Sequence, residues 1–423
     1  MSKDGKIQCV LDEKALHTVM LDREKCIGCV NCMRRCPTEA IRVRNGKASV
    51  NYDRCIGCGE CVRLCGQHAK LPSHDDFDTI NDFKYKIALP APSLYGQFNN
   101  LTDIDTVLNG LLAIGFDDVY EVGRAADYCT GVTKMLMNVG TYPKPVISTA
   151  CPAVVELIMM RFQNLKEHLL GILAPVDVAA KLAREKAIKN GVPEEDIGVY
   201  FISPCPAKVF GLKMGIGVKH PYVDRVLSVS DVYMRLVPAM SALKEIKPMT
   251  KMSSVGLNWG VSRGEANAIF RDKTIAADGI ENVIKILEAL EDGGLSDIDF
   301  IELNACTSGC VGGVMNVENP FVARSRIQQL TRKLPATLNS LADTGKSVDY
   351  FCWELNPVTK DVFKLDDDRV SAMAKLLQID SILETLPHAD CGLCGAPSCR
   401  AFAEDLVNEV IPSDTVCPRL EQK

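Results

Sequence analysis

The sequence contains no apolar run that approaches the length of a membrane-spanning helix, which argues against an integral membrane protein. Residues 1–21 mix charged and apolar side chains and lack the continuous apolar stretch of a secretory signal. An excess of positive charge is also missing, since the net charge is -6, and this argues against nucleic acid as a partner. We therefore expect a cytoplasmic protein that has neither a membrane nor a nucleic-acid partner.

What the chain has in excess is cysteine, with 19 among its 423 residues. In a short secreted chain such a number would predict disulfides, but this chain is long and shows no secretory signal. The cysteines fall into three groups, separated by long stretches with few or none. Their spacing, rather than their number, therefore indicates the chemistry.

The first group is an internal repeat of the spacing C-x2-C-x2-C-x3-C, from Cys26 to Cys36 and from Cys55 to Cys65. Ferredoxins hold two 4Fe–4S clusters with this run, and the fourth cysteine of each run binds the other cluster. Two structural zinc sites are the alternative, which a four-cysteine run repeated in tandem disfavours. We predict a first ferredoxin quartet (Cys26, Cys29, Cys32, Cys65) and a second ferredoxin quartet (Cys36, Cys55, Cys58, Cys61).

The last group, here the C-terminal quartet, consists of Cys391, Cys394, Cys399 and Cys417. Its spacing resembles the small four-cysteine iron–sulfur domain that is attached to several anaerobic redox proteins. Zinc stays an alternative at this site, because four thiolates suit either metal. A helix is predicted to start near Ser398 and to carry Phe402, Leu406 and Val410 on one face.

The middle group, here the central quartet, is sparse and consists of Cys151, Cys205, Cys306 and Cys310. Sparse cysteines are often buried thiols that pack as small hydrophobic groups. Here, however, three of them follow predicted apolar strands, at residues 146–149, 197–202 and 298–303. Ligands bind at the carboxyl ends of the strands in parallel α/β sheets, so we expect these thiols to line a site.

The segments between these strands have the composition of helices, as a parallel sheet requires. Helices are predicted over residues 103–114, 154–165, 177–190 and 281–290. Charged stretches near Phe83 and Asp367 mark candidate boundaries. We therefore expect three domains, over residues 1–83, 84–367 and 368–423.

The three middle motifs resemble, in order, the cluster-binding motifs of iron-only (FeFe) hydrogenases. They are Thr149-Ala-Cys-Pro-Ala153, Ser203-Pro-Cys-Pro-Ala-Lys208 and Glu302-Leu-Asn-Ala-Cys-Thr-Ser-Gly-Cys310. The resemblance implies that the central quartet holds a 4Fe–4S cluster. It also implies that Cys310 bridges to a diiron unit with CO, cyanide and azadithiolate ligands, and that Lys208 donates to a cyanide.

The resemblance also implies a fold and a full set of cofactors. The expected fold is an α/β hydrogenase domain of two lobes with mixed sheets. An α+β ferredoxin-like domain precedes it, and a small, mostly α, four-cysteine domain follows. The expected cofactors are four 4Fe–4S clusters and one diiron unit, and sixteen of the 19 cysteines serve as ligands. We interpret the other three, Cys9, Cys129 and Cys352, as packed thiols.

The departures from the family pattern concern proton transfer. Ala150 stands where prototypical members have a proton-relaying cysteine, and no acid follows Ala126-Asp127 where they carry carboxylates. Gly211 replaces a glutamate, while Ser203 and Asn304 replace methionines, which predicts more polar surroundings for the diiron unit. Glu265 is a candidate substitute acid, with a solvated surface side chain as the alternative.

These departures resemble the sensory members of the family, in the subgroup that has no PAS domain and ends in a four-cysteine domain. We therefore expect interconversion of H2 with protons and electrons, either slow or serving as a hydrogen sensor. The expected partners are a ferredoxin or a signalling protein, together with maturation proteins that supply the diiron unit, and a homodimer is left open. The competing hypothesis is a non-catalytic hydrogenase-like assembly factor. A plain electron carrier would leave about 280 middle residues without a purpose.

Overall fold

The computed structural model describes residues 18–336 and 339–420, so that Cys9 lies outside the described residues. Its N-terminal part contains two short antiparallel sheets, in which β1 pairs with β4 and β2 with β3. Each copy of the cysteine repeat contains one short helix before its last cysteine. In chain order the elements are β1 (Val19–Leu21), α1 (Asn31–Arg34), β2 (Ile41–Arg44), β3 (Lys47–Val50), α2 (Glu60–Arg63) and β4 (Lys70–Pro72).

Two parallel sheets form the middle of the chain. The larger has the strand order β6-β5-β8-β9 and the smaller the order β10-β11-β7. All strand pairs in these two sheets are parallel, so the expectation of mixed sheets is wrong for the described residues. The strands are β5 (Tyr85–Pro90), β6 (Asp118–Val119), β7 (Val146–Ile147), β8 (Ile197–Ser203), β9 (Arg225–Ser228), β10 (Thr274–Asp278) and β11 (Phe300–Asn304).

Helices occupy the connections between these strands, as parallel pairing requires. The four helices predicted from the sequence are all present, with ends shifted by a few residues. Several helices begin at a proline, whose fixed φ and missing N–H suit the first turn. The helices are α3 (Asp105–Ala113), α4 (Val122–Val139), α5 (Pro152–Arg161), α6 (Pro175–Lys189), α7 (Pro206–Met214), α8 (Val229–Ser241), α9 (Ser254–Asn258), α10 (Gly264–Ile269), α11 (Ile280–Glu291) and α12 (Pro320–Thr331).

Both faces of the larger sheet are covered, which explains why all seven residues of β8 are buried. One face packs against α4 and α6, and the other against α3 and α8. Short 3-10 helices complete the connections, at Phe77–Asp82, Pro92–Gln97, Gln163–His168, Glu194–Asp196, Cys310–Gly312, Leu341–Thr344 and Val348–Phe351. In the described part of the chain, no helix combines the length and hydropathy needed to cross a bilayer.

The C-terminal part consists of α13 (Arg369–Thr385) and α14 (Cys399–Val407), which pack against each other. The Ser398 hydroxyl accepts a hydrogen bond from the Ala401 N–H and so caps α14 at the predicted start. Phe402 is buried as expected. Val410, however, lies beyond the end of the helix and is 56% exposed, so the predicted apolar face ends earlier than expected.

Candidate functional site

Three strand ends, from both parallel sheets, meet at one site. Cys151 and Cys306 follow β7 and β11 of the smaller sheet, whereas Cys205 follows β8 of the larger sheet. Burial raises the pKa of the Cys306 thiol, and the thiols of Cys205, Cys151 and Cys310 raise it further because they lie close to it. The structure thus brings the central quartet together between the carboxyl edges of two sheets.

The turn between Cys306 and Cys310 depends on glycine. Gly309 has a φ of +86°, and a Cβ atom at this position would lie 2.5 Å from the Ser262 nitrogen. Only glycine adopts this conformation without strain and leaves room for the neighbouring loop. The turn therefore delivers two thiols to one site from a single short segment.

The arrangement of the thiols suits a cluster of several irons. Among residues 18–336 and 339–420, no group of three or more His, Cys, Asp or Glu side chains is placed to hold one metal ion. A single zinc ion would need all four sulfurs within about 2.3 Å of one point. A 4Fe–4S cluster instead takes one thiolate at each of its four irons, which suits cysteines that surround a shared space.

Lys208 and Cys310 open onto one apolar cavity, here the central cavity. The Lys208 ammonium lies 3.7 Å from the Cys310 sulfur and 3.4 Å from the Ala150 carbonyl oxygen. Burial alone would lower the pKa of Lys208, but the four thiols of the central quartet raise it above its ordinary value. The remaining lining residues are Ala91, Pro92, Val122, Ala126, Ala150, Ala174, Pro175, Val176, Phe201, Pro204, Trp259 and Gly260.

This lining fits an anionic group. No carboxylate of the described chain contacts the Lys208 ammonium, so its charge is balanced only by thiolates and by whatever binds in the cavity. A diiron unit with cyanide ligands would supply acceptors for this ammonium and would be surrounded by apolar side chains. The donor set and the cavity therefore suit the group that the sequence motifs imply.

Ser203 and Asn304 do not make the cavity polar. The Ser203 hydroxyl donates to the Cys205 carbonyl at 3.1 Å, and the Asn304 amide donates to Glu302 at 2.8 Å. Neither side chain lines the central cavity. Both polar groups make hydrogen bonds outside the cavity, and their effect on the diiron unit stays a prediction.

The α4 wall of the cavity carries no group that exchanges protons. Val122 and Ala126 line it. The nearby Asp127 is buried, but its carboxylate accepts hydrogen bonds from the Ser253 hydroxyl and the Asn339 amide, each at 2.6 Å. Asp127 therefore ties α4 to the start of α9 and does not face the cavity.

Glu265 is buried, with 4% of its surface exposed, so the alternative of a solvated surface side chain is wrong. Its carboxyl accepts a hydrogen bond from the Ser148 hydroxyl at 2.5 Å, and that hydroxyl accepts one from the Ala150 N–H at 3.2 Å. Burial and the neighbouring Glu302 raise the pKa of Glu265 to about 8. A protonatable acid therefore lies two hydrogen bonds from a residue that lines the central cavity.

Glu302 is a functional candidate that the sequence reasoning quoted only as part of a motif. It is buried in β11, and the backbone N–H groups of Arg263 and Ala266 donate to it at 2.9 and 2.8 Å. Burial raises its pKa, against the effect of these hydrogen bonds. A charged residue inside the otherwise apolar strand Phe300–Leu303 was the available signal.

Each ferredoxin cavity is lined by three cysteines of one repeat and the fourth cysteine of the other. Cys65 joins the first ferredoxin quartet around one cavity, and Cys36 joins the second around another. Lys70 lines the first cavity, is 2% exposed, and its ammonium has no hydrogen-bond partner among the described residues. A buried cation facing four thiols suits an anionic cluster.

The second ferredoxin quartet adjoins the central quartet. Cys58 packs in the same apolar cluster as Cys151 and Cys205. A Cβ atom on Gly57, whose φ is +64°, would lie 3.1 Å from the Ala207 backbone. Glycine at this position therefore lets the ferredoxin loop approach the α7 end of the hydrogenase motif.

The remaining cysteines divide into the C-terminal quartet and two packed thiols. Burial raises the pKa of Cys394, and the nearby Cys417 and Cys391 add to this effect, while Cys399 packs in the same cluster. Cys129 is buried in the core, as predicted. Cys352 is partly buried and donates to the Val348 carbonyl at 3.5 Å.

Comparison with known proteins identifies relatives for each part of the chain. A family model of the iron-only hydrogenase large subunit, C-terminal domain, matches residues 84–274 and 262–314. A 4Fe–4S dicluster model matches residues 18–66, and an Fe–S cluster model matches residues 386–418. These matches confirm the expected fold class in all three parts, with parallel sheets in the middle.

One curated relative and two solved structures give the degree of similarity. The periplasmic Fe hydrogenase large subunit of Nitratidesulfovibrio vulgaris is 26% identical over 389 residues, which cover 76% of this chain and 91% of that protein. A variant of the FeFe-hydrogenase HydA1 from Chlamydomonas reinhardtii has a TM-score of 0.52 at 15% identity, covering 69% of this chain and 97% of the other. A structure concerned with stepwise H-cluster assembly in HydA has a TM-score of 0.51 at 15% identity, covering 68% of this chain and 97% of the other. At this identity the two structures share the fold with this chain.

Proposed function

We propose, from the premise that the chain belongs to the iron-only hydrogenase large-subunit family, that it interconverts H2 with protons and electrons. The observation that carries this proposal is Lys208. Its ammonium lies in an apolar cavity beside Cys310, without a carboxylate partner in the described chain. A buried cation in this position is costly unless an anionic group binds beside it. A diiron unit with cyanide ligands would supply this anionic group.

The chain's own residues position and isolate this unit. Cys151, Cys205, Cys306 and Cys310 would hold the 4Fe–4S part, and Cys310 would also bridge to the diiron part. When bound, the diiron unit supplies the Lewis-acid chemistry on H2. Lys208 donates a charge-assisted hydrogen bond toward a cyanide and so retains and orients the unit. The apolar lining lowers the local dielectric, which would strengthen this hydrogen bond.

Protons, we infer, travel through Ser148, Glu265 and Glu302 and not along α4. The Ser148 hydroxyl lies between the Ala150 N–H and Glu265, and Glu265 couples electrostatically to Glu302. Glu265, with its pKa near 8, is poised to gain and lose a proton near neutral pH. Water within the central cavity would connect Ser148 to the reacting centre, since Ala150 has no side-chain group that carries a proton.

This route supports the finer proposal that turnover is slow and suits a hydrogen sensor. A well-positioned acid–base group contributes about 10²- to 10⁴-fold in rate. Here the cavity wall offers alanines where a direct proton donor would stand. The redox partner on this proposal is a ferredoxin or a signalling protein. The periplasmic relative does not decide the compartment, so a cytoplasmic location stays a prediction.

Infrared absorption of the anaerobically matured protein tests the proposal. Maturation proteins must load the diiron unit, after which bands in the CO and cyanide stretching region are expected. The competing hypothesis, a non-catalytic assembly factor, predicts intact 4Fe–4S clusters without these bands. Loaded protein that shows the bands but never exchanges H2 with protons would also contradict the proposed activity.

A further inference from the structure

The C-terminal domain is joined to the ferredoxin-like part through a buried carboxylate. The side chain of Asp405 is 8% exposed and accepts hydrogen bonds from Arg42 Nε at 2.8 Å and Arg42 Nη2 at 3.2 Å. Arg44 Nη2 adds a third hydrogen bond at 2.6 Å. Arg42 thus forms a bidentate ion pair with Asp405 of α14, and Arg44 adds a single hydrogen bond. A bidentate pair fixes the relative orientation of the two groups as well as their distance.

Backbone contacts extend this interface between β2 and the C-terminal domain, here called the seam. The Val43 N–H donates to the Gly395 carbonyl at 3.0 Å, and a Cβ atom on Gly395 would lie 1.9 Å from the Val43 carbonyl oxygen. A Cβ atom on Gly392 would lie 3.0 Å from the Met33 methyl carbon. Close approach of the two backbones therefore requires glycine at Gly395, whereas at Gly392 it is the φ of +77° that favours glycine.

This seam places the C-terminal quartet beside the first ferredoxin quartet. Cys391 and Cys394 each precede one of the glycines in the seam. On the other side, Val43 lines the first ferredoxin cavity and Met33 follows Cys32. One layer of residues therefore separates the two quartets.

The contacts give an order in which each quartet adjoins the next, here called the line of quartets. The second ferredoxin quartet adjoins the central quartet through Cys58, the first ferredoxin quartet lies next, and the C-terminal quartet lies at the far end. The outer end is open to solvent, because Leu393 and Val416, which each adjoin a cysteine of the C-terminal quartet, are 59% and 51% exposed.

We propose that Asp405 is a positioning residue that holds the C-terminal quartet at the outer end of this line, where electrons enter or leave the chain. The proposal rests on the proposed function. A protein donor with a low reduction potential loses one electron and the C-terminal cluster gains it, without a change in bonds or protons. A C-terminal domain with a purely structural role would not need the ion pair, since well-packed apolar residues stabilise an interface at least as well.

The competing route starts at the first ferredoxin quartet itself. Cys29 is exposed there, and the neighbouring Ile27 is 64% exposed. A donor that docks at this surface would bypass the C-terminal domain. The two routes differ in whether a displaced C-terminal quartet slows reduction of the ferredoxin clusters.

The variant Asp405→Asn tests the proposal, with Glu404→Gln as the matched control. Glu404 is the preceding acid on α14 and pairs with Arg400 of the same helix, away from the seam. Reduction of the ferredoxin clusters is followed in stopped flow, once with a reduced ferredoxin and once with dithionite. We expect Asp405→Asn to slow the ferredoxin-driven reaction by about an order of magnitude, because small misplacements between reacting groups reduce rates steeply. Dithionite, which reaches any exposed cluster, should act at an unchanged rate.

Magnetic coupling gives a second readout that does not depend on the donor. EPR of the fully reduced protein should show weaker spin–spin interaction in Asp405→Asn than in wild type and Glu404→Gln, at equal iron content. A second variant, Cys394→Ser, removes a ligand of the C-terminal quartet and should slow the ferredoxin-driven reaction in the same way. If both variants are reduced at the wild-type rate, the C-terminal domain has only a structural role and the proposal is wrong. Absence of H2 turnover with a normal reduction rate would contradict only the proposed function.

A buried lysine carries a second, independent inference. Lys70 lies in the first ferredoxin cavity with its ammonium unpartnered among the described residues, and it acts electrostatically on Cys32, Cys26 and Cys61. We propose that its charge raises the reduction potential of the first ferredoxin cluster, because an extra electron is stabilised beside a cation of low solvation.

A redox titration followed by EPR tests this second inference. Lys70→Met should shift the midpoint potential of one cluster to a more negative value, whereas Lys70→Arg should keep the wild-type potential. Lys25→Met, an exposed lysine of the same module, is the control. If Lys70→Met titrates like wild type, or if Lys70→Arg shifts the potential as far as Lys70→Met does, the charge of Lys70 has no such role.

Discussion

Two sides of the central cavity differ in the proton-exchanging groups that lie near them. The α4 side presents Val122 and Ala126, and the α4 acid Asp127 is bound to Ser253 and Asn339. The other side leads through the Ser148 hydroxyl to Glu265 and Glu302, both buried. The α4 side of the cavity is therefore apolar, whereas two buried acids, on β11 and α10, lie behind the other side.

On the proposed route, protons follow a chain of hydrogen bonds and not a particular helix. Carboxyl groups buried without a cation are unfavourable when ionised, which is why the pKa of Glu265 is raised to about 8. The same burial that makes this acid costly makes it useful near neutral pH. The predictions below set the two sides of the cavity against each other.

The largest effect is expected for Lys208→Ala, because loss of the diiron unit from part of the protein adds to the slower turnover. A desolvated charge-assisted hydrogen bond contributes about 1.5–3 kcal/mol, so its loss should reduce turnover by about 10- to 100-fold and weaken retention of the diiron unit. Lys213→Ala is the control, because Lys213 lies on the same helix and pairs with Asp75. Turnover and the infrared bands of matured protein are the measurements. Unchanged values in Lys208→Ala would show that the cyanide donor lies elsewhere.

Glu265→Gln should lower turnover by about 10²-fold, because glutamine keeps the hydrogen bond to Ser148 but exchanges no proton. Ser148→Ala should have a similar effect through loss of the connecting hydroxyl. Asp127→Asn is the matched control on the α4 side and should retain most of the activity at equal cluster content. If Asp127→Asn is impaired more than Glu265→Gln, the route runs along α4 after all.

A smaller effect of the same acid concerns how the free energy of unfolding depends on pH. The pKa of Glu265 rises from its ordinary value of 4.5 to about 8 on folding, so the native state binds the proton more tightly than the unfolded state. The free energy of unfolding should therefore fall as pH rises from about 5 to 8, by up to about 1.4 kcal/mol per pH unit for one such group. Burial also raises the pKa of Glu121 and of Asp177 to about 7, which adds to this slope.

Anaerobic urea unfolding at several pH values measures this slope. Glu265→Gln should be less sensitive to pH than wild type, because its amide stays neutral throughout. Glu288→Gln, on the outer face of α11, is the control and should keep the wild-type slope. An equal slope in wild type and Glu265→Gln would mean that Glu265 is already ionised in the native state at pH 5.

The cysteine spacing predicted which thiols come together, because short runs and strand ends determine where a cysteine can reach. The positions of charged and polar side chains were harder to predict from the sequence. Glu265 looked like a surface glutamate, since burial of a residue in a short loop depends on what packs over it. Ser203 and Asn304 were expected to face the diiron unit, but their hydrogen bonds to Cys205 and Glu302 depend on backbone positions that no spacing reveals. The exchange of fourth cysteines stays a prediction until the clusters are observed.

The smallest effect is expected for Ala150→Cys. The new thiol would line the central cavity beside Lys208 and could take a proton from the reacting centre. On the α4 side, however, the next acid is Asp127, whose carboxylate is occupied by Ser253 and Asn339, so the proton has no acceptor there. We therefore expect turnover to rise by no more than about threefold, far below the roughly 10²- to 10⁴-fold of a complete relay. Turnover is measured in Ala150→Cys alone and combined with Glu265→Gln. Full rescue in the combined variant would show that the α4 side conducts protons, whereas a gain that vanishes with Glu265→Gln would show that the thiol acts through the Ser148 route.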